Sequence, residues 1–193
     1  MSADMLQPGF ADPVAGAQSC FRAVLDAMAR PGRIREVGTD LTPPAPLAPA
    51  TAAVLLTLLD YDTPVWLDPA FAGARNWVGF HCGAPIVAAI GACRFAVALA
   101  LPELAALPSG THEAPEDAAT LILQVNAFGR GRTYRLAGPG LRVPALLSVD
   151  LLPAGFATAW QENHALFPRG ADIVLCAGTA LAALPRSVTL QEV

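Results

Sequence analysis

The 193-residue sequence contains no lysine, because all twelve of its Lys and Arg residues are arginines. A phosphate-binding loop of the G-x-x-x-x-G-K-[ST] type needs its lysine to reach the phosphates, and a pyridoxal-phosphate enzyme needs a lysine to form the Schiff base. The missing lysine excludes both mechanisms. We therefore expect the chain to carry no cofactor.

Charged residues are also scarce, at 15% of the sequence against 54% hydrophobic residues, and the net charge is −4. An acidic chain without a basic tail is poorly suited to binding nucleic acid or an anionic membrane surface. This large amount of apolar surface has to be buried in a core or against other chains. The composition therefore predicts a subunit of an oligomer.

The sequence has no apolar run of the roughly 20 residues that a membrane-spanning helix needs. Its longest such stretch, residues 86–102, is interrupted by Arg94. The N-terminus reads "MSADMLQPGFADP", with acidic residues where a signal peptide has basic ones. These features predict a cytoplasmic protein without membrane contact.

The residues that commonly bind metals are scattered along the chain: Cys20, Cys82, Cys93, Cys176, His81, His112 and His164. Because there is no C-x-x-C pair and no H-E-x-x-H, neither a disulfide framework nor a metal site is predicted. We expect four reduced and mostly buried thiols, since free cysteine behaves as a small hydrophobic residue. The sequence also lacks G-x-S-x-G, and no G-x-G-x-x-G follows a strand, which argues against a serine hydrolase and a dinucleotide-binding fold.

Helix and strand patterns alternate along most of the chain. Asp12 followed by Pro13 predicts the start of a helix, and "RPG" at 30–32 predicts its end. Apolar runs such as "TLILQV" and "ADIVLCAG" are typical of buried strands. The segment "FGRGR" at 128–132 indicates a hairpin turn, with "TYRLAG" returning antiparallel. Together these patterns predict one domain over residues 1–193, an α/β protein with three layers, α/β/α, and a mixed β-sheet.

Two aspartates interrupt the apolar stretch "LLTLLDYDTPVWL" at residues 55–67. Asp60 and Asp62 could form an acid/base pair if their side chains converged and one pKa were raised. Aspartates and the Thr63-Pro64 step are also ordinary turn chemistry between a helix and a strand. We predict that the two aspartates mainly fix this turn, and the catalytic pair remains the alternative.

Three arginines, Arg130, Arg132 and Arg135, are concentrated in "GRGRTYR" and could bind phosphate through bidentate hydrogen bonds. Alternation along a strand separates such side chains by face, and the chain is acidic overall. A soluble hairpin tip is therefore the favoured interpretation. The residues alone predict an oligomeric mixed α/β domain without a self-contained active site.

Six segments follow one another in the order of a known family: "CFRAVLDAMARPGRI", "LLTLLDYDTPVWL", "FHCGAPIV", "APEDAATLILQV", "LFPRGADIVL" and "LPR". From about residue 12 to about residue 190 the chain resembles the PhnH family, the H subunit of bacterial carbon-phosphorus lyase. The agreement of several motifs in order makes this resemblance more specific than any single match.

The resemblance implies a fold similar to the large domain of fold-type I pyridoxal-phosphate transferases, assembled as a homodimer but without the cofactor-binding lysine. It also implies a core assembly with the G, I and J subunits, which lets bacteria use alkylphosphonates as a phosphorus source. In that pathway the G, H, I and L proteins displace adenine from ATP with a phosphonate, giving a ribose 1-phosphonate 5-triphosphate. The J subunit later cleaves the carbon-phosphorus bond by radical chemistry.

The family motifs carry over to these positions: Phe21, Arg22, Pro31, Gly32, Asp60, Asp62, Thr63, Pro64, Trp66, His81, Pro85, Glu116, Phe167, Pro168, Gly170, Asp172, Pro185 and Arg186. The chain departs from the family pattern at Gly79 and Ala118, where other members have arginine and glycine. No catalytic and no metal-ligating residue is implied. The candidates for binding or interface roles are Arg22, Asp60, Asp62, His81, Glu116, Asp172 and Arg186.

Two hypotheses about function follow. In the first, the chain is an architectural or substrate-organising subunit that is not catalytic alone. In the second, it is a catalytic subunit that binds a small anion, a phosphonate or a nucleotide, in a pocket around Arg22, His81, Glu116 and Arg186. An anion bound between these four side chains would favour the second hypothesis, and an empty apolar interior there would favour the first.

Overall fold

A computed structural model describes residues 8–193 of the protein. Residues 1–7, on which part of the signal-peptide argument rests, lie outside the described residues. The described chain forms the α-helices α1 (Pro13–Ala29), α2 (Pro49–Leu58), α3 (Arg75–Cys82) and α4 (Phe156–His164). Its strands are β1 (Arg35–Glu36), β2 (Val65–Leu67), β3 (Ile86–Val87), β4 (Phe95–Ala98), β5 (Thr120–Gln124), β6 (Phe128–Ala137), β7 (Ala145–Val149), β8 (Asp172–Ala177), β9 (Ala180–Leu184) and β10 (Thr189–Glu192).

A large sheet contains seven of the described strands, in the order β1-β9-β8-β5-β4-β2-β3. Strands β3, β2, β4, β5 and β8 are parallel to their neighbours in this run. Strands β9 and β1 continue the sheet antiparallel. The prediction of a mixed sheet is therefore confirmed. Strands β10, β6 and β7 form a separate antiparallel sheet that the sequence patterns did not indicate.

Different elements cover the two faces of the large sheet. Helices α1, α2 and α3 pack on one face, where Val97, Ile122 and Val174 of the sheet are buried. The small sheet and helix α4 pack on the other face, against Leu121 and Ile173. The expectation of a purely helical layer on both faces needs correction. Alternate apolar residues of β6 and β7 give the small sheet a buried face of its own, so it shares the second outer layer with α4.

Helix α1 forms where the sequence predicts it. The Asp12 carboxylate accepts hydrogen bonds from the backbone N–H groups of Val14 and Ala15, each at 3.0 Å, and satisfies donors that the first turn leaves free. Its buried residues Cys20, Val24 and Ala27 recur at helical spacing. This 17-residue helix is the longest in the described chain, which has no helix long and apolar enough to span a bilayer.

Helix α2 is held at its start by strand β5. Its N-terminal flanking residue Ala48 has no side chain that could cap the helix, but its backbone N–H donates to Gln124 Oε1 at 2.8 Å. The buried Thr51 hydroxyl donates to the same oxygen at 2.8 Å. Gln124 Nε2 in turn donates to the carbonyl of Pro46 at 2.8 Å. One amide side chain at the end of a central strand thus fixes the position of α2.

The predicted hairpin turn at "FGRGR" is wrong. Strand β6 continues through it, and both Phe128 and Arg132 are paired with Val149 of β7, so the segment between them is an irregularity inside one strand. Gly129 and Gly131 have φ angles of +80° and +81°, which glycine adopts without strain. A Cβ on Gly131 would lie 2.5 Å from the Val149 carbonyl oxygen. The glycines therefore allow a β-bulge within β6. The chain crosses from the large sheet to the small one between β5 and β6.

Candidate functional site

Asp172 and Arg186 form a bidentate ion pair at the start of strand β8. Arg186 donates from Nε to Asp172 Oδ1 at 3.1 Å and from Nη2 to Oδ2 at 2.6 Å, and its backbone N–H also donates to Oδ1 at 2.7 Å. The Arg186 and Asp172 side chains are only 14% and 16% exposed. Bidentate geometry and limited solvent make this pair stronger than a surface ion pair.

Arg186 also ties two further segments to this pair. Its Nη1 donates to the carbonyl of Pro115 at 2.7 Å, in the short turn Pro115–Asp117 that precedes β5. His164 at the end of α4 donates from Nδ1 to the Arg186 carbonyl at 2.7 Å. All three nitrogens of the Arg186 guanidinium therefore have protein partners. This side chain acts as a structural clamp. Each of its guanidinium nitrogens is already hydrogen-bonded to the protein and is not free to bind a phosphate.

Arg94 supports the same turn from the neighbouring strand. It lies directly before β4 and donates to the Glu116 carbonyl at 2.9 Å and to the Asp117 carboxylate at 3.0 Å. The Glu116 carboxylate is exposed and makes no hydrogen bond within residues 8–193. Neither Arg94 nor Asp117 was a candidate from the sequence. The signal that could have identified them is a charged residue placed just before a buried strand.

Asp60 builds the turn between α2 and β2, as its position in the sequence predicts. Its carboxylate accepts a hydrogen bond from the backbone N–H of Asp62 at 2.9 Å. The Thr63 hydroxyl donates to the Asp60 carbonyl at 2.9 Å and lies 2.6 Å from the Asp60 backbone nitrogen. The Asp62 carboxylate is exposed and has no hydrogen-bond partner in the described chain. The turn therefore depends on one aspartate side chain and not on both.

Arg22 and His81 lie near opposite edges of the large sheet. Arg22 is exposed on α1 and lines a groove beside the edge strand β1. His81 lies at the end of α3, shortly before the other edge strand, β3. Its ring packs against those of Trp77 and Phe80 at centroid distances of 4.7 and 5.0 Å. Glu116 and Arg186, in contrast, meet near the centre of the sheet through the Pro115–Asp117 turn.

A deep cavity of about 520 Å³ lies between segment 101–109 and helix α4. Its lining is mostly apolar but includes the carboxylates of Glu103 and Glu162, which repel an anion. Asn163 in its wall is engaged with the backbone of Ala171, donating at 2.9 Å and accepting at 2.8 Å. This cavity, the groove beside β1 and a cavity of about 210 Å³ beside β2 each contain at most one of the four residues in the second hypothesis.

A group of arginines surrounds Asp26 where α1 ends and β1 begins. One carboxylate oxygen of Asp26 lies 2.6 Å from Arg35 Nε and 3.5 Å from Arg33, and the other contacts Arg30. Arg22, one helical turn before Asp26, forms no ion pair in the described chain. We call Arg22, Arg30, Arg33 and Arg35 the α1–β1 arginine cluster. It makes this surface positive in a chain whose net charge is −4.

The four cysteines have no features of nucleophiles or metal ligands. Burial raises the pKa of the Cys82 thiol to about 12 and also raises the pKa of Cys20, Cys93 and Cys176. A reactive cysteine needs a lowered pKa, so these thiols stay protonated at neutral pH. Within residues 8–193, no three His, Cys, Asp or Glu side chains are placed to hold a metal ion together.

Known proteins share this sequence along nearly its whole length. The family model described as "Bacterial phosphonate metabolism protein (PhnH)" matches residues 8–191. "Alpha-D-ribose 1-methylphosphonate 5-triphosphate synthase subunit PhnH" of Rhizobium meliloti (strain 1021) is 42% identical over 188 residues, which cover 95% of this chain and 94% of that protein. "Putative C-P lyase subunit protein HtxG" of Stutzerimonas stutzeri is 31% identical over 174 residues, which cover 88% and 83%. The chain belongs to the PhnH family of bacterial phosphonate metabolism proteins, which confirms the resemblance seen in its motifs.

Removing the clamp should destabilise the protein. We expect Arg186→Ala to lower the free energy of unfolding by about 2–4 kcal/mol, because it leaves the Asp172 carboxylate partly buried and unpaired. Arg186→Lys should restore only part of the loss, since an ammonium group cannot make the bidentate contact. Urea denaturation at pH 7 measures both. Arg94→Ala is the control: its ion pair is 41% and 58% exposed, so its loss should cost less than about 1 kcal/mol. Equal losses in the two alanine variants would contradict the clamp.

The two aspartates of the turn should differ in their effect on stability. Asp60→Ala removes an acceptor for a backbone N–H and should lower the free energy of unfolding by about 1 kcal/mol. Asp62→Ala removes an exposed carboxylate without a hydrogen bond and should stay within about 0.5 kcal/mol of the original protein. Thermal denaturation of the two variants makes the comparison. If Asp62→Ala abolished growth on a phosphonate without changing the melting temperature, Asp62 would have a binding role instead.

Proposed function

We propose that this chain is a subunit of the carbon-phosphorus lyase assembly and is not catalytic alone. In that role it supports the formation of ribose 1-phosphonate 5-triphosphate from ATP and an alkylphosphonate, together with the G, I and L subunits. Its partners in the core assembly would be the G, I and J subunits. The observation that carries the proposal is the 42% identity, over 95% of this chain, to the synthase subunit of R. meliloti.

The geometry of the candidate residues supports an organising role. The charged groups of Asp172 and Arg186 are engaged with each other, and the carboxylate of Asp60 holds a turn. A catalytic acid, base or phosphate ligand has to face the substrate. Arg22 is the one member of the proposed four-residue pocket that keeps an unengaged charge beside a groove, so it is the residue on which the catalytic alternative depends.

The architecture supports the rest of the proposal in broader terms. The two hydrophobic cores pack on opposite faces of one sheet, which favours a single domain over residues 1–193. A mixed sheet with helices on one face, and with a small sheet and one helix on the other, is compatible with a fold like the large domain of fold-type I pyridoxal-phosphate transferases, here without the lysine that would bind the cofactor. Because the proposed reaction consumes ATP, we propose the cytoplasm as its location.

We expect the isolated chain to be a homodimer. Large apolar side chains are exposed in and near β7, away from the α1–β1 arginine cluster: Val143, Leu146 and Leu151. Exposed apolar groups of this kind are typical of contact surfaces between chains. Light scattering at micromolar concentration should give about twice the chain mass of 20.0 kDa. A mass equal to that of one chain would contradict the homodimer.

The isolated chain should not release adenine from ATP and methylphosphonate. No cavity in the described residues brings together two of Arg22, His81, Glu116 and Arg186 to hold the reacting phosphonate, and the chain has no lysine for covalent catalysis. An assembly of the other subunits should release adenine only after this chain is added. Adenine formation by the isolated chain would support the catalytic alternative around Arg22, His81, Glu116 and Arg186. Full activity of the assembly without the chain would refute the organising role.

A further inference from the structure

Within residues 8–193, the outer edge of strand β1 is unpaired. It is the terminal strand of the large sheet, and its one partner among these residues is β9. Val37 donates its backbone N–H to the Thr179 carbonyl at 2.8 Å, and residues that face the partner strand alternate with residues that face away in an antiparallel ladder. The backbone groups of Arg35 therefore face β9, whereas those of Ile34 and Glu36 point away from the sheet. Hydrogen-bond donors and acceptors are left available along this edge.

The free edge borders an open groove. The groove has a volume of about 550 Å³ and lies between α1 and β1. Ser19 and Arg22 line it from the helix, and Ile34 and Glu36 line it from the strand. A strand added to a sheet lies about 4.8 Å from its neighbour. An extended segment can therefore pair with β1 while its side chains contact the helix.

The charge around the groove selects for an acidic occupant. The α1–β1 arginine cluster carries four positive charges, three of them in contact with Asp26, and Glu36 also lines the groove. Two carboxylates against four guanidinium groups leave an excess of two positive charges. Phe21, Leu25 and Ile34 are 47%, 52% and 45% exposed beside these charges. Carboxylates together with apolar side chains on an extended backbone would complement this surface.

A second copy of this chain is a poor occupant, because like charges would meet in each two-fold register that pairs Ile34 and Glu36 with each other or with themselves. A two-fold axis can pair only outward-facing residues, which are Ile34 and Glu36. If Ile34 meets Glu36, Arg35 lies opposite Arg35 of the copy. If Ile34 meets Ile34, Arg33 lies opposite Arg35, and if Glu36 meets Glu36, two carboxylates are opposed. Like charges directly opposite each other destabilise a strand pair.

We propose that the edge of β1 and the groove beside α1 are the docking site for an extended acidic segment of another subunit, which joins the large sheet as an additional strand. Main-chain hydrogen bonds would supply affinity, and the arginine cluster would select the partner by charge. The inference rests on the proposed function, since that function supplies the other subunits. The inference places the contact with another subunit on a surface that is separate from the Asp172–Arg186 clamp.

Two variants test the site by different physical means. Glu36→Pro removes an outward-facing N–H while the N–H groups of Arg35 and Val37 remain available to β9. Arg22→Glu reverses a charge that has no partner in the described chain. The affinity of each variant for a purified assembly of the G, I and J subunits is measured by fluorescence anisotropy. We expect both to bind at least about tenfold more weakly, and we expect the affinity of the original chain to fall with added salt.

Two control variants distinguish a loss of docking from a loss of the folded structure. Glu36→Ala removes the same carboxylate but keeps the N–H, so it should bind as tightly as the original chain or more tightly. Arg75→Glu makes the same charge reversal at the opposite edge of the sheet, where Arg75 is exposed, and should change the affinity less than twofold. Melting temperatures establish that all four variants are folded.

Hydrogen exchange provides a direct measurement of strand addition. On binding, the amide of Glu36 should become protected from exchange, because it would then be hydrogen-bonded to the partner. If the original chain binds while this amide stays unprotected and both test variants bind within twofold of it, the docking site is refuted and the proposed function is retained. If the original chain does not bind the assembly at all, the proposed function fails, and the docking site fails with it.

Discussion

The organisation of the central strands at their amino ends depends on the ion pair between Asp172 and Arg186. This pair joins the first residue of β8 to the segment after β9, to the turn before β5 and to the end of α4. Because the pair is partly buried, neither charge can be lost without leaving the other poorly solvated. The pair therefore forms a frame for strands that are far apart in the sequence. The surfaces around this frame, and not the residues of the ion pair, are therefore the candidates for contacts with other molecules.

Elements with local signals could be predicted from the sequence. Helix α1 follows from the Asp12 cap, the proline after it and the spacing of its buried residues, all of which lie within one short segment. Strand β5 follows from an apolar run with β-branched residues. The turn at Asp60 was identified for the same reason, since its hydrogen bonds reach no further than Thr63. The family was also recognisable, because its motifs are contiguous and ordered.

Features that depend on distant contacts could not be predicted in this way. The glycines of "FGRGR" suit a hairpin equally well, and only the approach of Val149 makes them a bulge. Nothing local shows that Arg186 pairs with Asp172 or that Arg22 and Glu116 line no common cavity. Arg30 is one helical turn from Asp26, and this spacing predicts their ion pair, but Arg33 and Arg35 reach the same carboxylate only because the chain folds back after α1.

The hydrogen bonds of Gln124 have a consequence for where the protein can hold a nucleotide. In α/β proteins with parallel strands, phosphates commonly bind where a helix N-terminus meets the carboxyl ends of the strands. Here the amide oxygen of Gln124 accepts the hydrogen bonds of Ala48 and Thr51 at the start of α2. A phosphate could reach this helix only by expelling an internal side chain and exposing a buried hydroxyl. The protein thus supplies its own substitute for the anion at that position, so the start of α2 is closed to a phosphate.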